Sequence, residues 1–151
     1  MSLSKHLRRL IEISWRDRVL LAEAACALTA ASIAIRMMPF RKVVDAAGTG
    51  GPVRPENGAG TSAEISRVRW AIEAWARRLP WRVVCFQKGL ALHKLLQRRG
   101  IASLLHYGVA QDAERGLTAH VWVTYGGKPI IGGDVAADYA CLATYPTAAQ
   151  R

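Results

Sequence analysis

The stretch LPWRVVCFQKGLALHKLLQRRG, from Leu79 to Gly100, decides the fold of this chain. Pro80 disfavours helix at the residue before it, so one helix is predicted to end near Leu79. Gly100, which follows two arginines, is a typical stop for a second helix. That second helix begins at about Cys85, whose thiol then lies in its first turn. The free N–H groups and the positive dipole end of a first turn favour a thiolate, which a nucleophilic cysteine requires.

The composition is that of one folded domain. Of the 151 residues, 51% are hydrophobic, which allows a sizeable core and excludes a disordered chain. The net charge of +10 predicts an acidic or polyanionic partner, an anionic membrane surface, or simply a solvated basic surface. Nucleic-acid binding is the weaker hypothesis, because the arginines are scattered and no zinc-finger spacing or RNA-binding aromatic signature is present.

The cysteines indicate a reducing compartment. Cys26, Cys85 and Cys141 are odd in number and far apart, so neither a disulfide framework nor a zinc site is indicated. We therefore expect no metal and no cofactor. The chain also lacks a signal-peptide cleavage pattern, so the expected location is the cytoplasm.

The N-terminal third is predicted to be a helical element, residues 1–46. Ser14 with Asp17 resembles a capping box, and the helix that follows runs to about Met38. Its uncharged middle, 24–35, is shorter than the roughly 20 apolar residues that span a bilayer. This length predicts a helix that is buried or peripheral to a membrane rather than one that crosses it. Residues 47–62 are rich in glycine and proline and read as a linker.

The remaining residues, 63–146, are predicted to form the catalytic core. A helix over 63–79 precedes the Cys85 helix, and from Ile101 the hydrophobic period changes to two. Strands are expected over 101–109, 117–125 and 129–132, with a hairpin between the last two. The fold class is therefore α+β, with the helix that bears the cysteine packed on a small antiparallel sheet.

A cysteine peptidase or acyl-transfer enzyme also needs an imidazole beside the thiolate and a group that orients the imidazole. The chain has four histidines. His6 lies in the terminal arm, and His93 lies roughly 12 Å along the same helix from Cys85, too far for direct proton transfer. His106 and His120 both lie on predicted strands and both remain open on this criterion.

His120 is preferred as the base because its hairpin leads to Asp134. A three-residue loop, Gly126 to Lys128, would place Tyr125 opposite Pro129 and His120 opposite Asp134. A two-residue loop would shift the register by one residue and turn Asp134 to the other face. Cys85, His120 and Asp134 are thus the predicted catalytic residues, and the three-residue loop is the structural condition for this assignment.

Several segments match a known family. They are Leu79-Pro80-Trp81-Arg82-x-x-Cys85, Leu90-Ala91-Leu92-x-x-Leu95-Leu96-x-x-x-Gly100, Tyr107-Gly108-Val109, Ala119-His120-x-Trp122-Val123, Gly132-Gly133-Asp134 and, after the alanine-rich helix, Arg36-Met37-Met38-Pro39-Phe40. The chain resembles the peptidase domain of the lasso-peptide biosynthesis B protein, a transglutaminase-like leader peptidase. The resemblance covers nearly the whole chain.

The resemblance implies a papain-like cysteine peptidase core with Cys85 as nucleophile, His120 as base and Asp134 as acid. It implies a precursor peptide as substrate, a separate leader-recognition protein as partner, and an ATP-dependent lactam synthetase that acts next. The family usually has alanine where this chain has Val121, and we expect that side chain to face away from the site. The 46–62 segment matches the family poorly.

Two alternatives remain open at this stage. A transglutaminase-like acyltransferase would use the same three residues to make an amide bond. A non-catalytic scaffold of the maturation complex would instead embed Val19–Ile35 in a membrane.

Overall fold

The structure, a computed structural model, describes residues 13–48 and 59–145. His6 and most of the predicted linker lie outside these ranges. The elements follow the chain as helices, then strands. They are α1 (Trp15–Met37), α2 (Phe40–Gly48), α3 (Ala59–Ala76), α4 (Cys85–Arg98), β1 (Ser103–Asp112), β2 (Gly116–Tyr125), β3 (Lys128–Ile131), a 3-10 helix (Gly133–Asp138) and β4 (Ala140–Tyr145).

Helix α1 begins at the predicted cap. The Ser14 hydroxyl oxygen accepts from the Asp17 N–H at 3.2 Å and donates to the Asp17 carboxylate at 2.7 Å. The inward face of α1 is fully buried and joins the same hydrophobic core as α3, α4 and the sheet. Its buried residues are Leu20, Ala24, Leu28 and Ala31. The N-terminal helix is therefore a structural part of the core.

Two arginines tie the helices together. Arg67 of α3 pairs with Asp17 of α1 at 2.6 Å, and the bond to Arg67 holds the pKa of that carboxyl below its usual range. Arg99, at the end of α4, pairs with Glu23 of α1 and, at 3.0 Å, with Glu64 of α3. Both acidic side chains of α1 are thus turned toward neighbouring helices.

The sheet has four antiparallel strands in the order β3-β2-β1-β4. Helix α4 packs on its two central strands at Gly89, where an added Cβ would lie 2.8 Å from Val121 Cγ1 and 3.3 Å from Leu105 Cδ1. Glycine is required there because the backbone of α4 approaches the sheet closely. The prediction of an α+β fold with the cysteine helix on a small antiparallel sheet is confirmed.

The β2–β3 hairpin differs from the predicted one. Tyr125 pairs with Lys128, so the loop has two residues, Gly126 and Gly127, both with positive φ. The three-residue loop was wrong because two adjacent glycines readily adopt the left-handed conformation of a type I′ turn. A bulge between Val123 and Thr124 then shifts the register by one residue, and Val123 pairs with Ile131. The predicted three-residue loop would have given Val123 the same partner.

Other boundaries shift by a few residues. Helix α3 begins at Ala59, inside the predicted linker, and β1 runs from Ser103 to Asp112 rather than from 101 to 109. Strand β3 ends at Ile131, and the chain enters the 3-10 helix instead of continuing the ladder. Asp134 consequently lies in the first turn of that helix and not on a strand.

Candidate active site

Cys85 is the first residue of α4, as the sequence predicts, and its side chain is half-buried. The turn is closed by Gln87, whose side-chain oxygen accepts from the Val84 N–H at 2.6 Å. The thiol is free of any disulfide. A thiol in this position faces the positive end of the helix dipole, and the Cys85 N–H belongs to the first turn, where no intrahelical acceptor exists.

The segment that leads into α4 is anchored on α1 through one hydroxyl. Ser32 Oγ accepts from Trp81 Nε1 at 3.1 Å and from Gln87 Nε2 at 3.3 Å, and it donates to the Leu28 carbonyl at 2.8 Å. Trp81 and Gln87 lie on either side of Cys85 in the sequence. In this structure both side chains donate to Ser32.

His120 lies on β2 and has a defined tautomer. Its Nε2 is 2.7 Å from the Gly132 carbonyl oxygen. A carbonyl can only accept, so Nε2 carries the proton of the neutral ring. Nδ1 is then the basic nitrogen, which is the state that a general base needs. Gly132 has a φ of 71°, and an added Cβ would lie 2.7 Å from the Val121 carbonyl oxygen, so only glycine allows this approach.

Cys85 and His120 are not joined in this structure. Val121 points toward α4, at Gly89, and because side chains alternate along a strand, His120 and Trp122 point to the other face of β2. We expected Val121 to face away from the site; its side chain lies on the face of β2 opposite His120, against Gly89 of α4. Among residues 13–48 and 59–145, no hydrogen bond links Cys85 with His120.

Asp134 is exposed in the 3-10 helix, two residues after Gly132. No hydrogen bond joins its carboxylate to His120 within the described part of the chain. The acceptor that orients His120 Nε2 here is the backbone carbonyl of Gly132. The triad assignment therefore stays a prediction for all three residues, although the structure brings the 132–134 segment to the His120 ring.

Aromatic rings enclose His120 on its face of the sheet. Trp122 stacks beside it with ring centroids 6.1 Å apart, and Tyr139 lies across it at 5.0 Å. The contacts of Gly132 and Tyr139 with His120 were not predicted from the sequence. The spacing of Trp122, two residues after His120 on one strand, was the available signal for a shared face.

His106, the other candidate base, is held by hydroxyl groups at both nitrogens. Nδ1 lies 3.0 Å from Thr144 Oγ1 and Nε2 lies 2.7 Å from Thr124 Oγ1, and the ring stacks on Trp122 at 5.3 Å. Burial lowers the pKa of His106. Both ring nitrogens are engaged in bridging β4, β1 and β2, so the ring acts as a structural link of the sheet.

A groove lies between α1 and the segment that precedes Cys85. Its volume is about 510 Å³, and its wall combines apolar side chains with two arginines. The lining residues are Thr29, Ser32, Ile33, Ile35, Arg36, Trp81, Arg82 and Gln87. Among the described residues, no group of histidine, cysteine and acidic side chains could hold a metal ion.

Comparison with known proteins identifies the family of this fold. A family model described as the transglutaminase-like superfamily matches residues 25–144. The chain belongs to the transglutaminase-like superfamily. Members of this superfamily include cysteine peptidases and acyltransferases, and the matched range includes Cys85, His120 and Asp134. No curated protein and no solved structure matched the chain.

Proposed function

We propose that this protein is a cysteine peptidase that removes the leader from a lasso-peptide precursor. The observation that supports the proposal is the presence, within one transglutaminase-like fold, of a helix-start cysteine and of a histidine whose proton is held on Nε2. Cys85 is the nucleophile, His120 is the base and Asp134 is the acid that stabilises the imidazolium. The lasso assignment itself comes from the sequence resemblance.

The chemistry requires two displacements. His120 Nδ1 takes the Cys85 thiol proton, and the thiolate attacks the last leader carbonyl. The C–N bond then breaks, and the leaving amine takes that proton from His120. Water then attacks the thioester and gives a proton to His120, which releases the leader carboxylate and the free thiol. The Cys85 N–H is the proposed donor to the oxyanion. Asp134, near the Gly132 carbonyl that holds the ring, acts through its charge.

The reaction also requires His120 Nδ1 to come within hydrogen-bond reach of Cys85. Catalytic hydrogen bonds are often open in the free enzyme and close in the complex with substrate. We propose that binding of the precursor closes this contact. The free chain then rests with His120 on Gly132, and the substrate complex brings base and nucleophile together.

The groove between α1 and the segment around Cys85, lined by Trp81, Arg82 and Gln87 on that side, is the proposed site for the leader. Ile33 and Trp81 supply apolar contact, and Arg36 and Arg82 supply positive charge. An acidic leader complements this wall, and it would enter the site next to the nucleophile. The proposed partners are a separate leader-recognition protein, which delivers the precursor, and an ATP-dependent lactam synthetase, which joins the freed amine to an acidic side chain. We place the reaction in the cytoplasm.

Mass spectrometry of a reconstituted reaction tests the proposal. The chain is mixed with a lasso precursor peptide and its leader-recognition protein. Hydrolysis yields two fragments whose masses sum to the precursor plus one water. Cys85→Ala is expected to abolish both fragments, whereas Cys26→Ala and Cys141→Ala, which change the two exposed cysteines, should retain them.

Continued trimming by Cys85→Ala would show that the nucleophile is misassigned. A product that is lighter by one ammonia, with no gain of water, would instead identify the chain as an acyltransferase. Both outcomes are read from the same spectrum.

A further inference from the structure

The outward face of α1 carries a continuous apolar stripe that the described residues leave uncovered. Its members are spaced by three or four residues, and all are exposed. They are Trp15, Val19, Ala22, Cys26, Ala30, Ile33 and Met37. At 3.6 residues per turn they fall within an arc of about 80° and extend over about 33 Å. Trp15 and Met37, at the two ends, are 76% and 78% exposed.

The acidic and hydroxyl side chains of α1 already have hydrogen-bond or ion-pair partners within the domain. Asp17 and Glu23 are paired with Arg67 and Arg99 of other helices. The Thr29 hydroxyl donates to the Ala25 carbonyl at 2.8 Å, so it needs no partner from outside the helix. A face of this kind tolerates contact with an apolar phase, because no unpaired acid or hydroxyl is desolvated.

The charges that surround the stripe are positive at both ends. At the Trp15 end these charges belong to Arg16 and Arg18, and at the Met37 end they belong to Arg36, Arg41 and Lys42. Two copies of the chain that paired through α1, in either orientation, would bring cationic ends together. The complementary occupant is an extended anionic surface with an apolar interior.

We infer that α1 docks in the plane of an anionic lipid membrane, with its apolar stripe in the interface and its arginines at the headgroups. A helix face of aromatic and aliphatic residues with basic residues along its edges can bind in the interface in this way. Long arginine side chains can reach the phosphates while their stems cover apolar surface.

The helix lies on the membrane and does not cross it. By length and composition alone, Trp15–Met37 could span a bilayer. Its other face, however, is packed in the domain core with α3 and α4, so insertion would require the core to open. The inference does not depend on the proposed peptidase activity. Ile33 and Arg36 also line the groove proposed for the leader, so the variants below leave both residues unchanged.

Vesicle flotation of the full chain tests this inference. The probes are vesicles of phosphatidylcholine alone and of phosphatidylcholine mixed with phosphatidylglycerol. We expect binding to the anionic vesicles only. The double variant Ala22→Glu, Ala30→Glu places two acids on the stripe and should remove binding. The control Ala63→Glu, Ser66→Glu makes the same charge change at exposed positions of α3 and should retain binding.

The charge requirement has its own pair of variants. Each arginine near an anionic surface contributes about fivefold to membrane affinity, so Arg16→Gln with Arg18→Gln should weaken binding about thirtyfold. Arg69→Gln with Arg115→Gln removes the same charge from exposed positions off α1 and should change binding much less. Circular dichroism of each variant confirms that the fold is intact.

Two results would overturn the inference. One is equal flotation of the stripe variant and its α3 control. The other is a dimer, seen by light scattering in the absence of lipid, that the stripe variant dissociates, since this would make the stripe an interface between copies. Precursor cleavage in solution should be the same for the stripe variant and the wild type, so a failure of the peptidase proposal is distinguishable.

Discussion

Substitution of Gly89 by alanine should loosen the contact between α4 and the sheet. The new Cβ would lie 2.8 Å from Val121 Cγ1, whereas carbon atoms pack best at about 3.5–4.0 Å. Valine is stiff at its first side-chain torsion, so the strand or the helix must move. Overpacking of this kind costs about 1–3 kcal/mol. Alanine regains about 1 kcal/mol of helix propensity, which leaves a net loss of about 1 kcal/mol of unfolding free energy.

A second pair of variants completes a double-mutant cycle and tests whether the contact with Val121 causes this loss. In a Val121→Ala background the close atom is gone, so Gly89→Ala should stabilise the chain by up to about 1 kcal/mol. The coupling energy between the two sites is then about 2 kcal/mol, well above the roughly 0.5 kcal/mol seen for independent sites. Urea unfolding followed by far-ultraviolet circular dichroism measures each free energy.

A matched control is present in the same chain. An added Cβ at Gly60, near the start of α3, meets no atom within 4 Å. Gly60→Ala should therefore be neutral or slightly stabilising in both backgrounds. If Gly89→Ala and Val121→Ala prove additive, the close approach of α4 to β2 does not determine the packing, and the reasoning fails.

The remaining predictions concern the histidines and the acid. His106 is half-buried and its pKa is lowered in the folded chain, so the unfolded chain binds a proton first as pH falls below about 6.5. The unfolding free energy should therefore drop there, and His106→Gln should remove part of that pH dependence. Urea titrations at several pH values measure this, and equal pH dependence of the unfolding free energy in the wild type and in His106→Gln would contradict it. The Gly132 carbonyl already sets the tautomer of His120, so Asp134→Asn should slow leader cleavage only about tenfold. A loss of roughly 10⁴-fold is expected where a carboxylate alone sets the tautomer. Single-turnover cleavage rates distinguish the two values. In the free chain, His120→Ala should leave the iodoacetamide alkylation rate of Cys85 unchanged, and a difference should appear only with precursor and recognition protein present. A difference in the free chain would mean that the two residues already meet without substrate.

Local signals in the sequence were sufficient to predict the helix that bears the cysteine. Pro80 and Gly100 act on their own neighbours, so α4 was correctly predicted to start at Cys85. The α+β class followed from the change of hydrophobic period. These features depend on short-range sterics and on patterns that repeat over many residues.

The geometry around His120 depended on interactions that the sequence does not display. The Gly126–Gly127 turn has two residues, and a bulge in the paired strands then restores the strand register that a three-residue loop would give. The chain next leaves the ladder for a 3-10 helix, which places the Gly132 carbonyl at His120 and leaves Asp134 exposed. Tertiary packing likewise determines which face of β2 contacts α4, and in the structure Val121 lies on that face, against Gly89.

The Ser32 hydroxyl has an evolutionary consequence. One oxygen on α1 accepts from Trp81 and from Gln87, on the two sides of the nucleophile. A change of Ser32 to an apolar residue leaves two donors without their acceptor at once, whereas a change of either donor leaves the other bond in place. Related chains that lack a hydroxyl at this position should therefore have replaced both donors. The three positions should co-vary, although about fifty residues separate Ser32 from Trp81 and Gln87.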